Sequence, residues 1–464
     1  MLAFPLFHIF LIPDPWHLMT VLVRIAPSPT GLLHVGNIRT ALINWLFTRH
    51  VGGRFMLRLD DTDVARSTRE FAESIERDLK WMGLNWDLFV KQSDRYARYT
   101  EALEKLKADG LAYPCFETPD ELGLKRKSQL SRGLPPIYDR SALNLSKAEI
   151  DARIKSGLKP HWRFKLPQEA IAWDDLVQGH KEFSADKLSD PVLMREDGVP
   201  LYSFASVVDD GDFGVTHVIR GEDHVANTAV QIEIWKALGM KVPAFAHLSL
   251  LRLASGEELS KRLGSMSVAS LRDEMGVEPL ALASLLARLG TSDAIALARD
   301  MQELVTNFDF KKIGRSPPKF DTEELQRLNA RLLHHMDFAE AKPRLAALGL
   351  GKVDEKFWNA CRANLAHFAE IKIWWEMAEG AVTPNIEDAA LAAKAAALLP
   401  PEPWSDKTWG EWTHAVKNET GKSGKALFMP LRLALTGKDH GPEMKNLLPL
   451  IGRARTRARL LSRR

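Results

Sequence analysis

Residues 24–46, RIAPSPTGLLHVGNIRTALINWL, decide the fold of this chain. The apolar residues up to Ala26 predict a short strand, and the prolines and the glycine that follow predict a tight turn. A helix is predicted next, because four apolar residues recur at helical spacing: Ile38, Leu42, Trp45 and Leu46. The stretch therefore reads as a strand, a turn and a helix.

The start of this helix is a candidate site for a phosphate. His34, Gly36 and Asn37 lie there. The N–H groups in the first turn of a helix have no intrahelical partner and lie at the positive end of the dipole, so they favour an anion. Gly36 lets a nucleotide approach the backbone, and His34 offers a ring nitrogen to a phosphate oxygen. An ordinary βα turn with a surface histidine fits the same residues, and local chemistry leaves both interpretations open.

The composition is that of a globular protein with several structural units. At 464 residues, with 45% hydrophobic and 27% charged residues, the chain predicts roughly three to five units. Its 63 basic and 60 acidic residues give a net charge of +3, so a nucleic-acid surface requires local clustering of basic residues. Cys115 and Cys361 form no CxxC pair, which favours a reducing cytoplasm without a structural disulfide.

The first eighteen residues, MLAFPLFHIFLIPDPWHL, form an apolar extension. They contain three prolines, lack a basic leading segment and are too short to cross a bilayer. A signal peptide is the alternative interpretation. We expect residues 1–18 to be dispensable, with Met19 as the natural start, and we expect no membrane association.

Four stretches of the sequence carry information that local chemistry alone does not give. The first is RIAPSPTG followed by His34-Val35-Gly36-Asn37, and the others are FMLRLDDTD (55–63), VVDDGDFGVTHVIRGEDH (207–224) and ELSKR (258–262). Together they resemble the glutamyl-tRNA synthetase family of class I aminoacyl-tRNA synthetases. The family's HIGH signature has Asn37 here in place of its second histidine. The resemblance implies an α/β N-terminal half, a Rossmann-like doubly wound parallel sheet with an α+β insertion, followed by an all-α C-terminal half.

The resemblance and the changes of pattern predict six segments. After the extension (1–18) come the first half of a Rossmann-like catalytic domain (19–112) and a connective α+β insertion that binds the acceptor end of tRNA (113–205). The second half of the catalytic domain, with the ATP-binding loop, follows (206–262). A helical stem-contact region (263–333) and a helical anticodon-binding domain (334–464) complete the chain.

An acidic cluster follows the second predicted strand, residues 55–59. Asp60, Asp61 and Asp63 are expected at the ligand-binding edge of a doubly wound sheet. A helix N-cap at Thr62 or Asp63 explains part of the cluster as well. By resemblance, Asp60 takes the place of the glutamate that receives the substrate's ammonium group.

Two apolar runs, 202–208 and 215–219, predict buried parallel strands on either side of a polar loop at 209–212. Arg220 follows the second run. A purely structural role would pair it with Asp209 or Glu222. The resemblance instead assigns Arg220 to a carboxylate of glutamate, a group that bidentate guanidinium contacts suit. The resemblance completes the glutamate-binding set with Arg24, Ser28, Asp60 and Tyr202.

A last strand is predicted at 247–251, and the loop ELSKR after it resembles the KMSKS signature of class I synthetases. The resemblance makes His34 and Lys261 the catalytic residues, with Lys261 on the phosphates of ATP. ATP is implied as a substrate, accompanied by Mg²⁺. The implied ATP-binding set is Pro27, His34, Gly36, Asn37, Ser260, Lys261 and Arg262.

A structural zinc site is not expected. Some relatives in the family carry one in the insertion, built from three cysteines and a further ligand. This chain has Cys115 there, with Glu117 and Ser141 where other sulfur ligands are expected. One thiolate does not make a tetrahedral structural site, so no metal ligand is assigned.

The C-terminal half carries several candidate tRNA contacts. GKSGKALFMPLRLALTG (421–437) resembles a stretch of glutamyl synthetase anticodon domains, and the last twelve residues include six arginines that suit phosphates. The basic run 125–127, with Arg132 and Arg140, is another candidate, which a solvated helix face explains equally well. Five tryptophans suit base stacking, although core packing is favoured for most of them: Trp374, Trp375, Trp404, Trp409 and Trp412.

The implied activity is glutamate–tRNA ligation by a cytoplasmic monomer that charges tRNA(Glu), tRNA(Gln) or both. A glutaminyl-tRNA synthetase is the first alternative, although its lead-in reads closer to PEPNGYLHIGH. A tRNA-modifying paralogue is the second, but it lacks an anticodon domain. A catalytically silent tRNA-binding module is the third, and the joint presence of His34, Lys261, Arg24 and Arg220 argues against it.

Overall fold

The computed structural model describes residues 20–256, 266–380 and 382–462. This part of the chain forms two compact units. The first unit contains the chain up to Leu271 together with Ala283–Asp321, and the second contains Arg272–Leu282 together with the chain from Thr322 onward. The predicted extension 1–18 and the predicted loop 258–262 lie outside the described residues.

The first unit begins with the strand, turn and helix that the sequence predicts. Its first elements are β1 (Leu22–Ile25), α1 (Val35–His50), β2 (Arg54–Leu59), α2 (Arg69–Trp81), β3 (Leu88–Lys91) and α3 (Tyr96–Ala108). α1 buries Ile38, Leu42 and Leu46, as the periodicity predicts, whereas Trp45 is partly exposed.

The acidic cluster after β2 does not cap the next helix. Thr68 is the N-cap of α2, because its hydroxyl accepts a hydrogen bond from the N–H of Phe71. Asp63 instead forms an exposed ion pair with Arg66. The predicted cap at Thr62 or Asp63 was therefore wrong, because the observed cap lies about five or six residues later in the chain.

The insertion contributes to two sheets. Its elements are β4 (Ala112–Cys115), α4 (Pro119–Ser131), α5 (Lys147–Lys155), β5 (His161–Phe164), β6 (Ile171–Asp175), β7 (Gly179–Phe183) and β8 (Val192–Met194). β4, β5 and β8 form a separate antiparallel sheet, whereas β6 and β7 join the central sheet. The mixed α+β character was predicted, but the continuation of the insertion into the central sheet was not.

The next elements are α6 (Tyr202–Phe213), β9 (His217–Gly221), α7 (Val225–Leu238), β10 (Ala244–Leu248) and β11 (Arg252–Leu253), and of these β9 and β10 complete the central sheet. The strand order is β3-β2-β1-β9-β10-β6-β7, and the pairs are parallel except β6 with β7. The direction of strand addition reverses between β1 and β9. This topology confirms the predicted doubly wound sheet and places a ligand crevice where β1 and β9 end.

The run 202–208 was predicted as a buried strand, and this prediction was wrong. The run belongs to helix α6. Residues 204–210 are buried consecutively, so the helix has no polar face in this part and its sequence has no helical period. Asp209 and Asp210, predicted in a loop, are buried on the same helix because arginine side chains pair with them.

The remaining elements are almost entirely helical, which confirms the predicted all-α C-terminal half. They are α8 (Val268–Asp273), α9 (Pro279–Arg288), α10 (Met301–Thr306), β12 (Lys319–Phe320), α11 (Thr322–His335), α12 (Phe338–Ala347), α13 (Glu355–Cys361), α14 (Ile371–Glu379), α15 (Ala389–Ala397), α16 (Thr408–Thr420), α17 (Lys425–Thr436), α18 (Met444–Ile451) and α19 (Arg453–Leu460). The short strand β12 pairs with β11 in the first unit.

Tryptophans form part of the core of the second unit. Trp374 and Trp412 are buried there, as core packing predicts. Trp375, Trp404 and Trp409 are partly buried and pack against the same core. Trp374 and Trp412, which are 6% and 1% exposed, are therefore core residues.

Candidate active site

A cleft of about 820 Å³ opens at the ends of β1 and β9, where the strand order reverses. Eight predicted site residues line it: Arg24, Pro27, Ser28, His34, Gly36, Asn37, Tyr202 and Arg220. Asp60 does not, and instead lines a neighbouring cavity of about 500 Å³ with Ser28 and Tyr202. Ser260, Lys261 and Arg262 lie outside the described residues.

His34 is the N-cap of α1, and this role engages one side of its ring. Its Nδ1 accepts hydrogen bonds from the N–H groups of Gly36 at 3.1 Å and Asn37 at 3.4 Å. The Asn37 side chain returns the contact by accepting from the His34 N–H at 3.2 Å. The N–H of Val35 donates to the carbonyl of Met266. The first-turn N–H groups are thus already satisfied, which corrects the expectation that they hold a phosphate.

The cap determines which atom of His34 faces a ligand. Nδ1 accepts two hydrogen bonds, so the ring proton is on Nε2. Burial lowers the pKa of His34 below its ordinary value, which keeps the ring neutral at physiological pH. His34 therefore presents a neutral N–H donor at the wall of the cleft. The histidine–phosphate contact stays a prediction, and Nε2, rather than the helix backbone, is the donor that would make it.

Arg220 is the last residue but one of β9 and is 5% exposed, with its guanidinium held by neutral acceptors. Nε donates to His247 at 3.3 Å, and Nη1 donates to the Tyr202 hydroxyl at 3.0 Å. Nη2 donates to Thr228 Oγ1 at 2.5 Å and to Gln231 Oε1 at 2.8 Å. Burial is the main cause that lowers the pKa of Arg220 below its usual value.

The alternative role for Arg220, a purely structural pairing with Asp209 or Glu222, was wrong. Asp209 accepts from Arg95 and Tyr99, and Glu222 accepts from the N–H of Leu250. Among the described residues, no carboxylate forms an ion pair with Arg220. A buried guanidinium without a counter-ion is unfavourable on its own, so an anionic ligand in the cleft would supply the missing charge.

A buried ionic cluster supports Arg24, another arginine of the cleft. Arg24 donates through Nε to both carboxylate oxygens of Asp210 at 3.2 Å. Asp210 also accepts from Arg58 Nη1 at 2.7 Å, and Arg58 pairs with Asp60 at the same distance. Arg58 is fully buried. Its position among apolar residues of β2 was the sequence signal for this cluster, which the sequence analysis did not use.

The residues that surround Arg220 were missed. His247, Thr228 and Gln231 are each buried and each accept from its guanidinium. Thr228 and Gln231 lie on α7, where polar residues inside an otherwise apolar helix were the available signal. His247 lies on β10 opposite Arg220 in the strand register.

Three potential metal ligands of the insertion lie together, although the sequence pattern pointed to one. Cys115, Glu117 and His161 place ligand atoms within 4.8 Å of one another. Buried His161 Nε2 and Glu117 Oε2 have no hydrogen-bond partner in the described part of the chain. A structural zinc site takes four ligands as a rule. The Tyr138 hydroxyl donates to Glu117 at 2.6 Å and lies 3.7 Å from Cys115 Sγ, so contacts within the protein already engage two of the three groups.

The Cys115 set therefore fits a structural zinc poorly. The prediction of no structural zinc stays a prediction, and metal analysis of the purified protein tests it.

Within the described residues, no helix combines the length and the apolar character needed to cross a membrane.

The doubly wound sheet, the basic cleft at its switch point and the helical second unit define a class I aminoacyl-tRNA synthetase. Residues 20–327 match the family model described as tRNA synthetases class I (E and Q), catalytic domain. Residues 376–462 match the model described as anticodon binding domain. The chain belongs to this glutamate and glutamine family of class I synthetases, and it is an aminoacyl-tRNA ligase.

Named relatives agree with this assignment. The chain is 58% identical over 442 residues to a glutamate–tRNA ligase of Azospirillum brasilense, covering 95% of this chain and 99% of the relative. It is 57% identical to glutamate–tRNA ligase 2 of a Methylobacterium species, with the same coverage. The crystal structure of a glutamate tRNA ligase from Elizabethkingia meningosepticum in complex with its amino acid superposes with a TM-score of 0.85. It is 29% identical and covers 95% of this chain and 98% of that chain.

Proposed function

We propose that this enzyme activates L-glutamate with ATP and transfers the glutamyl group to tRNA. An α-carboxylate oxygen of glutamate attacks the α-phosphorus of ATP, the bond to the bridging oxygen of the β-phosphate breaks, and pyrophosphate leaves. A ribose hydroxyl at the 3′ end of tRNA then attacks the carbonyl carbon of glutamyl-adenylate and releases AMP. The observation that carries the proposal is Arg220, a buried guanidinium on the cleft wall that forms no ion pair with a carboxylate of the described residues.

The proposed glutamate-binding side of the cleft is inferred from hydrogen-bond donors that have no acceptor among the described residues. One N–H of Arg220 Nη1 has no acceptor among the described residues, and the Tyr202 hydroxyl accepts from the same Nη1, so its own proton is free to be donated. These two donors suit the two oxygens of a side-chain carboxylate. Arg24, fixed by Asp210 through Nε, keeps its two NH2 groups for the α-carboxylate, with Ser28 beside it. Asp60, which lines the neighbouring cavity, receives the ammonium group of glutamate.

The ATP side of the cleft is lined by Pro27, His34, Gly36 and Asn37. The His34 Nε2–H donates to a phosphate oxygen and stabilises charge in the transition state. The resemblance supports a further part of the proposal, that Ser260, Lys261 and Arg262 bind ATP and that Lys261 contacts its phosphates; these three residues lie outside the described part of the chain. Mg²⁺ accompanies ATP and neutralises phosphate charge. The chemistry is positioning and charge stabilisation, because the attacking carboxylate is already ionised.

The second unit is proposed to contact the anticodon arm of tRNA(Glu), tRNA(Gln) or both. It contains a cleft of about 380 Å³ whose lining includes Trp409, Phe428, Lys425, Arg432 and Lys445. Aromatic faces next to cations suit an unstacked base and its phosphates. The proposed enzyme works as a monomer. Relatives carry both numbers, ligase 1 and ligase 2, so their names do not choose between the two tRNAs.

Aminoacylation with labelled glutamate and, separately, labelled glutamine on purified tRNA(Glu) and tRNA(Gln) tests the proposal. Glutamate on tRNA(Glu) alone identifies a discriminating enzyme, and glutamate on both tRNAs a non-discriminating one. Glutamate on tRNA(Gln) alone identifies a specialised misacylating form. Charging with glutamine would replace the proposal by a glutaminyl enzyme, and binding of tRNA without charging would support the silent module.

A further inference from the structure

Asp175 is a buried carboxylate that the reaction described above does not use. It is the last residue of β6, the insertion strand that joins the central sheet beside β10. Its Oδ1 accepts three backbone N–H groups, from Val177 at 3.0 Å, Gln178 at 2.8 Å and His247 at 3.1 Å. Its Oδ2 lies 2.5 Å from His247 Nδ1. The carboxylate is thus fixed by the backbone and directed at one side chain.

His247 connects Asp175 to the cleft. The ring is fully buried, with Nε2 at 3.3 Å from Arg220 Nε and 2.9 Å from Thr228 Oγ1. A guanidinium only donates, so His247 Nε2 accepts from Arg220. The ring proton must then be on Nδ1, where it is donated to Asp175. Both ends of the imidazole impose the same tautomer, and a chain of two hydrogen bonds runs from Asp175 to Arg220.

We propose that Asp175 and His247 are positioning residues for Arg220, which fix the plane of its guanidinium and thereby set the preference of the enzyme for glutamate over glutamine. The inference rests on the proposed role of Arg220. A planar guanidinium held at Nε and Nη2 has its remaining Nη1–H directed to one place, beside the Tyr202 hydroxyl. Glutamine presents an NH2 group to one of these two donors and leaves it unpaired, which is costly in a buried site.

The charge of Asp175 contributes to this support. Burial opposes its ionisation, but hydrogen bonds from His247 and the backbone of Gln178 lower the pKa of Asp175 below its ordinary value. The carboxylate is therefore ionised at neutral pH. It places a negative charge two hydrogen bonds from a guanidinium that has no ion pair with a described residue, which stabilises the buried cation without occupying the donors meant for the substrate.

Asp175→Asn is the sharpest test, because it keeps the shape of the side chain. The amide oxygen remains with the backbone N–H groups, so its NH2 faces His247 Nδ1 and reverses the tautomer. His247 Nε2 then carries a proton directed at Arg220 Nε–H, and two donors oppose each other. We expect the KM for glutamate to rise about tenfold or more, the KM for ATP to stay within about twofold, and the ratio of glutamate to glutamine charging to fall.

His247→Phe and the double variant separate positioning from folding. His247→Phe removes the acceptor and should raise the KM for glutamate similarly. If Asp175 acts through His247, the double variant is no worse than His247→Phe alone. Asp174→Asn is the matched control, since Asp174 neighbours Asp175 on β6 but is exposed. Aminoacylation at varied glutamate, with saturating ATP and tRNA, and thermal unfolding are measured for every variant.

Arg220→Gln, run in parallel, distinguishes failure of this inference from failure of the proposed site. If Arg220→Gln leaves the KM for glutamate unchanged, the proposed glutamate site is wrong. If Arg220→Gln raises that KM while Asp175→Asn and His247→Phe do not, only the positioning role is overturned. Equal rises in the KM values for glutamate and ATP, or additive effects in the double variant, also overturn it.

Discussion

The hydrogen bonds of a buried side chain determine which of its atoms remain available to a substrate. His34 illustrates this at the scale of the residue, because Nδ1 belongs to the cap of α1 and Nε2 belongs to the cleft. One side chain therefore carries a structural and a chemical role, and a suitable substitution separates them.

We predict that His34→Asn keeps the stability of the enzyme but slows activation about tenfold or more. Asn is a good N-cap, so the unfolding free energy should change by less than about 0.5 kcal/mol. The Nε2–H donor is lost, which removes a hydrogen bond to a charged group. His34→Ala should lose both functions and cost about 1 kcal/mol in addition. Single-turnover adenylate formation and denaturant titration measure the two effects; a wild-type rate for His34→Asn would contradict the prediction.

His217 predicts a pH dependence of stability. It is buried on β9 against Phe47, and burial, with the charge of Lys241 second, lowers its pKa to about 4. The unfolded chain takes up a proton below about pH 6.5, whereas the folded chain does so only near pH 4. The contribution of neutral His217 to the free energy of unfolding is therefore complete above about pH 6.5. It declines by about 3 kcal/mol as the pH falls to about 4.

His217→Leu should flatten the stability of the protein between these pH values, as urea unfolding at a series of pH values would show. His180→Gln is the control, because His180 is an exposed histidine of the same unit. An unaltered slope in His217→Leu would argue that the ring is protonated in the folded state.

At the scale of the element, α19 shows that clustered arginines do not form one surface. Arg459 is buried and donates to the carbonyls of Leu435, Met377 and Gly380. Arg455 pairs with Glu379. The expectation that the arginine-rich end meets tRNA phosphates therefore applies to only part of it, because a helix turns some of its side chains toward its own unit.

A matched pair of variants tests this division. Arg459→Ala should lower the unfolding free energy by roughly 3 kcal/mol, because it leaves buried carbonyls without donors. Arg457→Ala, on the exposed face of the same helix, should change stability by less than about 0.5 kcal/mol and weaken tRNA binding with a reduced salt dependence. Calorimetry and filter binding at several salt concentrations measure these effects. Equal stability losses would contradict the assignment.

At the scale of the whole molecule, each compact unit has its own cleft. The cleft of the first unit is lined by arginines, among them Arg220, which forms no ion pair with a described carboxylate, and the cleft of the second unit combines aromatic rings with cations. In the proposed division of labour, the cleft of the first unit binds the small substrates and the cleft of the second unit binds tRNA bases.

Hydrogen exchange tests this division of labour. Glutamate with ATP should slow exchange in peptides that cover 24–37 and 217–224, because bound ligand stabilises the local structure. Peptides that cover 425–445 should slow only when tRNA is added. Protection of 425–445 by glutamate alone, or protection of 24–37 without any ligand effect on 217–224, would show that the clefts are assigned wrongly.

The sequence by itself determined the fold class, eight residues of the cleft and the helical C-terminal half. These depend on local periodicity and on motifs, both of which are written into short stretches of chain. It failed at α6, where complete burial erases the period, and at the cap of α2, because several polar residues compete for that role.

Only the tertiary structure decided which atoms of the cleft stay open. Arg220, Asp175 and Arg24 each have a partner that is distant in the chain: His247 lies 27 positions from Arg220 and 72 from Asp175, and Asp210 lies 186 positions from Arg24. A pattern in sequence shows that an arginine is present at a strand end. Whether a carboxylate already neutralises it depends on how distant strands and helices pack, and that packing is what leaves Arg220 available to a substrate.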